Sequence, residues 1–404
     1  MDPRLATPAR TASWRALPPG IWALGFASMF MDISSELIHS LLPIFMVSVL
    51  GTSMVTVGLI EGIAEATAAI SKVFSGTLSD YLGRRKPLVV LGYALAAFTK
   101  PVFPLAGSIG WVFAARFVDR IGKGIRGAPR DALIADLVPA RLRGAAYGLR
   151  QGLDSLGALL GPLLAMLFML WLNDLQAVMW IAVLPAFVAV GLLLAYVREP
   201  ERASTAETAA PRLHLTDAKR LPLRFWLVVL LGALFTLARF SEAFLLLRAQ
   251  DVGLSIGFVP LTMIVMNLFY AACSYPAGAA ADRFGPLGLL LAGLGLLIVA
   301  DLLLAFATGV SQVLLGAALW GLHMALTQGL LAKLVADTAP EDLRGTAFGL
   351  FNLVSGGALL LASLIAGALW SAFGPAVTFF AGAAFSAVAA LGLLAYRLSN
   401  HHRD

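Results

Sequence analysis

Apolar residues run along this chain in long continuous blocks, separated by short polar or glycine-rich punctuation. A helix needs about 20 mostly apolar residues to cross a bilayer core, and blocks of that length recur from end to end. They predict helices over residues 21–50, 55–77, 87–106, 108–135, 143–172, 175–197, 221–249, 254–278, 286–308, 310–336, 343–372 and 374–397. The blocks do not alternate at every second residue, which excludes a membrane β-barrel. The first block starts at Ile21 and lacks a short apolar core followed by a small-residue cleavage site, so it reads as an uncleaved first crossing.

Composition agrees: 59% of the 404 residues are hydrophobic, only 13% are charged, and the mean hydropathy is +0.86, far above a soluble domain. The expected class is an all-α membrane protein of twelve crossings. Basic residues fix its orientation. Arg84, Arg85, Lys86, Arg141, Arg143, Arg198, Arg202, Arg212, Lys219, Arg220, Arg224, Arg283, Arg344, Arg397 and Arg403 fall in alternate loops or tails, while the loops around 51–54, 107–110, 173–174 and 309–311 carry none. The positive-inside rule then places both termini in the cytoplasm of a bacterial-type inner membrane. Arg248, at an outer helix end, breaks the pattern. The net charge of +6 records this bias and an attraction to anionic lipid, not a nucleic-acid partner. Cys273 is the single cysteine and has no internal disulfide partner.

The longest polar stretch divides the chain into a tail at 1–20, a bundle at 21–197, a linker at 198–220, a second bundle at 221–397 and a tail at 398–404. A repeat supports the division. Ala135-Asp136, Pro139, Leu142-Arg143-Gly144, Ala146 and Gly148-Leu149 recur 201 positions later as Ala336-Asp337, Pro340, Leu343-Arg344-Gly345, Ala347 and Gly349-Leu350.

The loop joining the second and third helices reads Gly76-Thr77-Leu78-Ser79-Asp80-Tyr81-Leu82-Gly83-Arg84-Arg85-Lys86, with a degenerate copy from Gly278 to Gly285. It resembles the signature loop of the major facilitator superfamily. That resemblance implies two pseudo-symmetric six-helix bundles, a substrate site between them near the midplane, and a monomeric secondary transporter. It further implies that the loop latches a conformation rather than touching substrate. Taken alone, the loop also reads as plain positive-inside topology. The fifth helix carries Gly157, Gly161 and Pro162, which resembles in part the glycine-proline element of proton-coupled exporters; an ordinary small-residue packing seam is the other reading.

Charges inside the spans carry the chemistry, because one at a helix centre costs on the order of 2.5–3.5 kcal/mol and needs a partner or water. Leaving aside Lys100 near an outer helix end, the first half holds the acids Asp32, Glu36, Glu61, Glu65, Asp119, Asp131 and Asp154 against the bases Lys72, Arg116, Arg120, Lys123, Arg126, Arg130 and Arg150. The balance points to mutual neutralisation. Asp32, Glu36 and His39 share about a 60° arc of the first helix. In the superfamily that helix and the fourth, seventh and tenth line the cavity, which adds Arg126, Arg239, Glu242 and His323 as candidate substrate or proton sites. Arg116, Asp119, Arg120, Arg130 and Asp131 form, with the loop residues Gly76, Asp80, Gly83, Arg84 and Arg85, a candidate gate; a purely structural ion lattice stands beside that reading. Asp301 carries no role on sequence grounds.

The functional expectation is a proton-coupled antiporter that exports a small molecule, with no cofactor and no catalytic centre. No phosphate-binding G-x-x-x-x-G-K-[ST] sequence is present to use ATP. Two substrate classes compete. Met29, Phe30, Phe235, Phe240, Phe244 and Met324 suit a lipophilic drug, whereas Asp32, Glu36 and His39 are ligand types for nickel, cobalt or iron, in line with some resemblance to the nickel-resistance branch. Nearby guanidinium groups favour a metal chelate or an organic anion over a bare ion. A receptor-like protein that moves nothing is a further alternative. The topology is checked directly: a cysteine at Ser204 should react only with cytoplasmic reagents and one at Ser53 with external ones, and the reverse pattern overturns the orientation.

Overall fold

The computed structural model describes residues 16–199, 220–328, 330–340 and 343–401. The N-terminal tail, most of the linker and the last three residues therefore lie outside the described residues. Every regular element described is helical. In chain order they are α1 (Pro19–Ile44, continued by a π-helical turn, Phe45–Val49), α2 (Met54–Leu82), α3 (Lys86–Thr99, with a last turn Val102–Leu105), α4 (Ile109–Leu137), α5 (Ala140–Leu172) and α6 (Leu175–Ile181 and Val183–Tyr196). The second half runs α7 (Leu223–Leu237 and Ala243–Asp251), α8 (Leu261–Phe284), α9 (Pro286–Ala305), α10 (Val310–Thr327 and Leu330–Thr338), α11 (Arg344–Phe373) and α12 (Pro375–His401).

Ten of these are long and apolar enough to cross a membrane. The two exceptions have physical causes. Helix α4 is long enough but loaded with charge, and α7 is interrupted. The continuous helices expected at 221–249 and 310–336 are thus each corrected to two pieces. In α7 the interruption falls at Ala238–Glu242, where Ser241 accepts a bond from the Ala243 amide (3.3 Å) while its own amide donates to Ser363 Oγ of α11 (3.2 Å). A serine that caps a following helix competes with helix continuation. The first piece of α10 stops at Gln328, one residue beyond Thr327, whose hydroxyl bonds back to the His323 carbonyl.

Within the first half α1 packs on α5 and α6, and α4 on α2 and α3; in the second half α8 packs on α10, and α9 on α10 and α12. The halves meet along α2 and α11. Gly58 and Gly62 of α2 lie against the backbone of Ser363 and Leu360, and reciprocally Gly367 of α11 lies against Met54. Backbones approach this closely only where no Cβ intervenes. Further along, Gly356 of α11 packs on Ala66 and Ala69 of α2. Beyond it Phe74, Leu78 and Leu82 on one helix and Leu353 on the other are exposed. Further closure lies on the same side as Gly58: Gln250 of α7 bonds Ser48 at the end of α1 (3.0 Å), and Ile44, Leu246, Val259 and Met263 form one buried cluster. The molecule is therefore closed on the face bearing loops 51–53 and 252–255; since Lys123 in the interior is exposed, access to it lies on the other side, that of residues 83–86.

Arg248, the exception to the charge rule, sits buried on the closed face with a structural task. Its guanidinium donates to the carbonyls of Leu304 (3.0 Å), Ala305 (3.4 Å) and Ala307 (2.7 Å) and pairs with Asp251. Those carbonyls belong to the end of α9, where helices leave acceptors unpaired and a cation is favoured. Arg248→Ala should lower stability by about 2–3 kcal/mol, seen as a reduced melting temperature in detergent, with Arg248→Lys intermediate; an unchanged melting temperature contradicts the capping role.

Candidate functional site

A cavity of about 590 Å³ lies between the halves. Its first-half wall is charged: Glu36 and His39 from α1, Glu65 from α2, and Arg120 and Lys123 from α4. Its second-half wall is mostly aromatic and polar: Phe235, Arg239, Phe240 and Glu242 from α7, Asn267 from α8, and Trp320 and Met324 from α10. The break in α7 faces the cavity directly, since Arg239, Phe240 and Ser241 all belong to it. Unwound backbone at membrane depth is tolerated where it lines a cavity.

The charged wall rests on a buried lattice. Arg116 donates to Glu61 at 2.7 Å, both being almost fully buried. His39 stands between two carboxylates, 3.6 Å from Glu36 and 3.7 Å from Glu61, so a chain of charge runs from the cavity surface into the bundle. Arg120 pairs with Glu65 (3.1 Å) and Asp119 (3.7 Å), and Asp119 takes Lys100 at 2.9 Å. Lys100 is thus corrected from an outer-end residue to a buried member of the lattice, held also by Ser35 at 3.0 Å. Nearer the basic face, Arg130 and Arg150 share Asp131 and Asp154.

These named pairs all join helices of the first half. Arg116, Asp119, Arg120, Arg130 and Asp131 all take part in this lattice, the arrangement that both the gate and the structural reading of these residues require. The signature loop is tied down in the same half: Gly76 packs on Ala128 of α4, Gly83 takes a left-handed φ of +63° where α2 ends, and Arg85 pairs with Asp136 at 3.2 Å. The carboxylate of Glu199, after α6, accepts the backbone amides of Arg85 and Lys86. Arg84 is exposed, and the side chain of Asp80 lies outside the described residues.

Of the seven candidate substrate or proton residues, Glu36, His39, Arg239 and Glu242 converge on the cavity and three do not. Asp32 packs against Gly157 of α5, in the field of Asp154, Arg126, Arg130 and Lys123. Arg126 stacks over the Tyr93 ring at 4.7 Å. His323 is buried behind the cavity wall, with Nδ1 2.7 Å from the Gly293 carbonyl and its ring stacked on Phe235. Met29, Phe30 and Phe244 likewise fall outside the cavity lining, unlike Phe235, Phe240 and Met324.

The motif of α5 acts through position. Gly157 and Gly161 receive the backbone of α1 at Met29 and Ile33, and a Cβ at Gly161 would stand 2.7 Å from the Glu36 Cβ. The seam seats the helix face that presents Glu36, and Pro162 sits inside α5 one residue beyond. Among the described residues no group of three or more His, Cys, Asp or Glu side chains is placed to hold a metal ion. Asp32 is not among the cavity-lining residues, so of Asp32, Glu36 and His39 only the last two line it. Sequence reasoning also missed Asn267, Trp320 and the α7 break as site elements; none carries a distinctive local motif. Asp301, which sequence left without a role, is fully buried facing Gly382, with neither carboxylate oxygen hydrogen-bonded.

The profile described as Major Facilitator Superfamily matches residues 24–247 and 240–404. An uncharacterised MFS-type transporter of Methanocaldococcus jannaschii is 36% identical over 391 residues, covering 94% of this chain and 95% of that protein. The class H tetracycline resistance protein of Pasteurella multocida is 26% identical over 301 residues, covering 69% of this chain and 71% of its own. A variant of the nucleoside transporter NupG superposes with a TM-score of 0.76 at 15% identity, covering 93% of this chain and 99% of that one. At that identity the likeness speaks to fold alone.

Removing one partner from a buried pair leaves an uncompensated charge and costs about 3–5 kcal/mol, whereas replacing both is far milder. Arg116→Met should therefore strongly destabilise the purified protein, and Glu61→Leu added to it should recover most of the loss. Equal melting temperatures for the single variant and the wild type contradict the lattice.

Proposed function

The chain belongs to the major facilitator superfamily of membrane transporters, and we propose that it is a proton-coupled antiporter exporting a small molecule by alternating access. The observation that carries this reading is the cavity-facing pair Glu36–His39, continuous with the buried Glu61–Arg116 pair. Two carboxylates and one guanidinium among these four groups leave a deficit of one positive charge. A single proton, shared by Glu36 and His39, makes the cluster neutral. In a site of low dielectric an uncompensated charge is costly, so when the proton leaves, a positive group of a substrate becomes the favoured replacement. Proton and substrate then compete for one wall.

The closed face and the open basic face fit one end state of the transport cycle. The α2–α11 glycine crossing is the surface over which the halves rock, and a ligand that binds one arrangement better than the other shifts the population between them. With the positive-inside assignment, the cavity in this state opens to the cytoplasm of an inner membrane. That access is what an exporter needs to load. Similarity to proteins named for tetracycline and multidrug resistance supports the export direction.

A growth-inhibition panel of antibiotics, dyes and metals in an efflux-deficient host, comparing wild type with Glu36→Gln, identifies a transported compound. In reconstituted vesicles Glu36→Gln should then abolish accumulation driven by a pH gradient while keeping substrate-substrate exchange. Wild-type accumulation and proton movement in that variant contradict the coupling site.

A further inference from the structure

The lattice accounts for most charges on the cavity wall but leaves three without partners. Glu36 is engaged with His39, and Glu65 with Arg120. Lys123, Arg239 and Glu242 line the same cavity, and among the described residues no opposite charge stands within ion-pair distance of any of them. Lys123 is exposed to the open space; it acts electrostatically on Glu36 and Glu65, both already paired. Among charged neighbours Arg239 feels Glu242, three residues on, most strongly, yet the two do not form a pair. Both lie within the α7 break.

Their placement is directional. Lys123 lies in the middle of α4, fourteen residues from each end, and Arg239 lies in the central break of α7. The two free cations thus line one cavity from opposite halves, and the free acid lies three residues from one of them. An unpaired ion in a membrane protein is costly unless water or a ligand completes it. Around these groups Phe235, Phe240 and Trp320 offer apolar rings, with Phe240 and Trp320 centroids 5.4 Å apart, and the Asn267 amide already donates to the Ala158 carbonyl at 3.0 Å. The volume falls in the range of small-molecule sites.

We propose that the cavity takes an amphipathic zwitterion: a flat apolar body whose acidic group bridges Lys123 and Arg239 and whose cationic group is received by Glu242 and the Glu36 wall. A simple cation would face two unneutralised bases. A simple anion would leave Glu242 unpaired and would add negative charge to a wall that has just released its proton. The acidic group holds both halves at once, so ligand occupancy is felt by the moving interface. This assignment rests on the transport reading above in taking the cavity as the substrate site, and it adds the ligand's charge pattern.

Four matched probes separate the possibilities: naphthylalanine (zwitterion), its N-acetyl form (anion), its methyl ester (cation) and the N-acetyl methyl ester (neutral). Binding is measured on the purified full chain in detergent at neutral pH by thermal stabilisation, with no gradient, so a failure of proton coupling at Glu36 leaves the readout untouched. Naphthylalanine should bind at least about ten-fold more tightly than each derivative, a difference worth about 1.4 kcal/mol. Lys123→Ala and Arg239→Gln should bring it down to the level of the ester, and Glu242→Gln to that of the N-acetyl form. Lys123 is exposed, so its variant reports on binding even if Arg239→Gln proves unstable. Equal or tighter binding of any derivative, no response to all four, or an unaltered preference in Lys123→Ala overturns the proposal.

Discussion

A charge placed within a membrane protein must find an opposite charge or a wet cavity, and that constraint organises this molecule. In the first half it is met by pairing: Arg116 with Glu61, Arg120 with Glu65, Lys100 with Asp119, and Arg150 with Asp154. The first three join different helices, so neutralisation also fixes how α2, the end of α3 and α4 stand relative to one another. Breaking such a pair costs more than the pair contributes relative to an apolar core. The lattice therefore matters for specifying one arrangement of a charged half more than for adding stability.

The second half meets the same constraint differently. Its cavity helices α7 and α10 are interrupted, its wall is aromatic, and its two cavity charges are unpaired. Where the first half offers a fixed electrostatic surface, the second offers freed backbone, rings and a free Arg239–Glu242 couple. On the proposed reading the labour is divided: the first half would exchange a proton at Glu36 and His39, and the second would adapt to the substrate. The tight glycine crossing of α2 and α11 joins the two without a connecting ion pair among those described.

Most of the fold was legible because hydrophobic block length and loop charge are strong, local signals. Twelve crossings, the repeat and the signature loop needed no coordinates. The breaks in α7 and α10 were not legible, since Arg239-Phe240-Ser241-Glu242 contains neither proline nor glycine and the break depends on Ser363 from a distant helix. Site residues split along the same line. Glu36 and His39 were readable from spacing on one face, but Asp32 shares that face and yet does not line the cavity, because the arc of a helix does not tell which neighbour covers which end of it. His323 sat on the right helix and faces Gly293 instead of the cavity. Lys100 and Arg248 were misleading for a common reason: both lie near helix ends, where sequence cannot distinguish an interfacial cation from one buried on a carboxylate or on helix-end carbonyls.

Competition between proton and substrate for one wall is the central claim, and counting protons tests it without any membrane. Purified protein in a lightly buffered solution with a pH indicator is mixed with saturating naphthylalanine, and the release is compared between wild type and Glu36→Gln. The account predicts that the wild type gives up a proton on binding and that Glu36→Gln binds without releasing one. Proton uptake by the wild type, or equal release from both proteins, would contradict it.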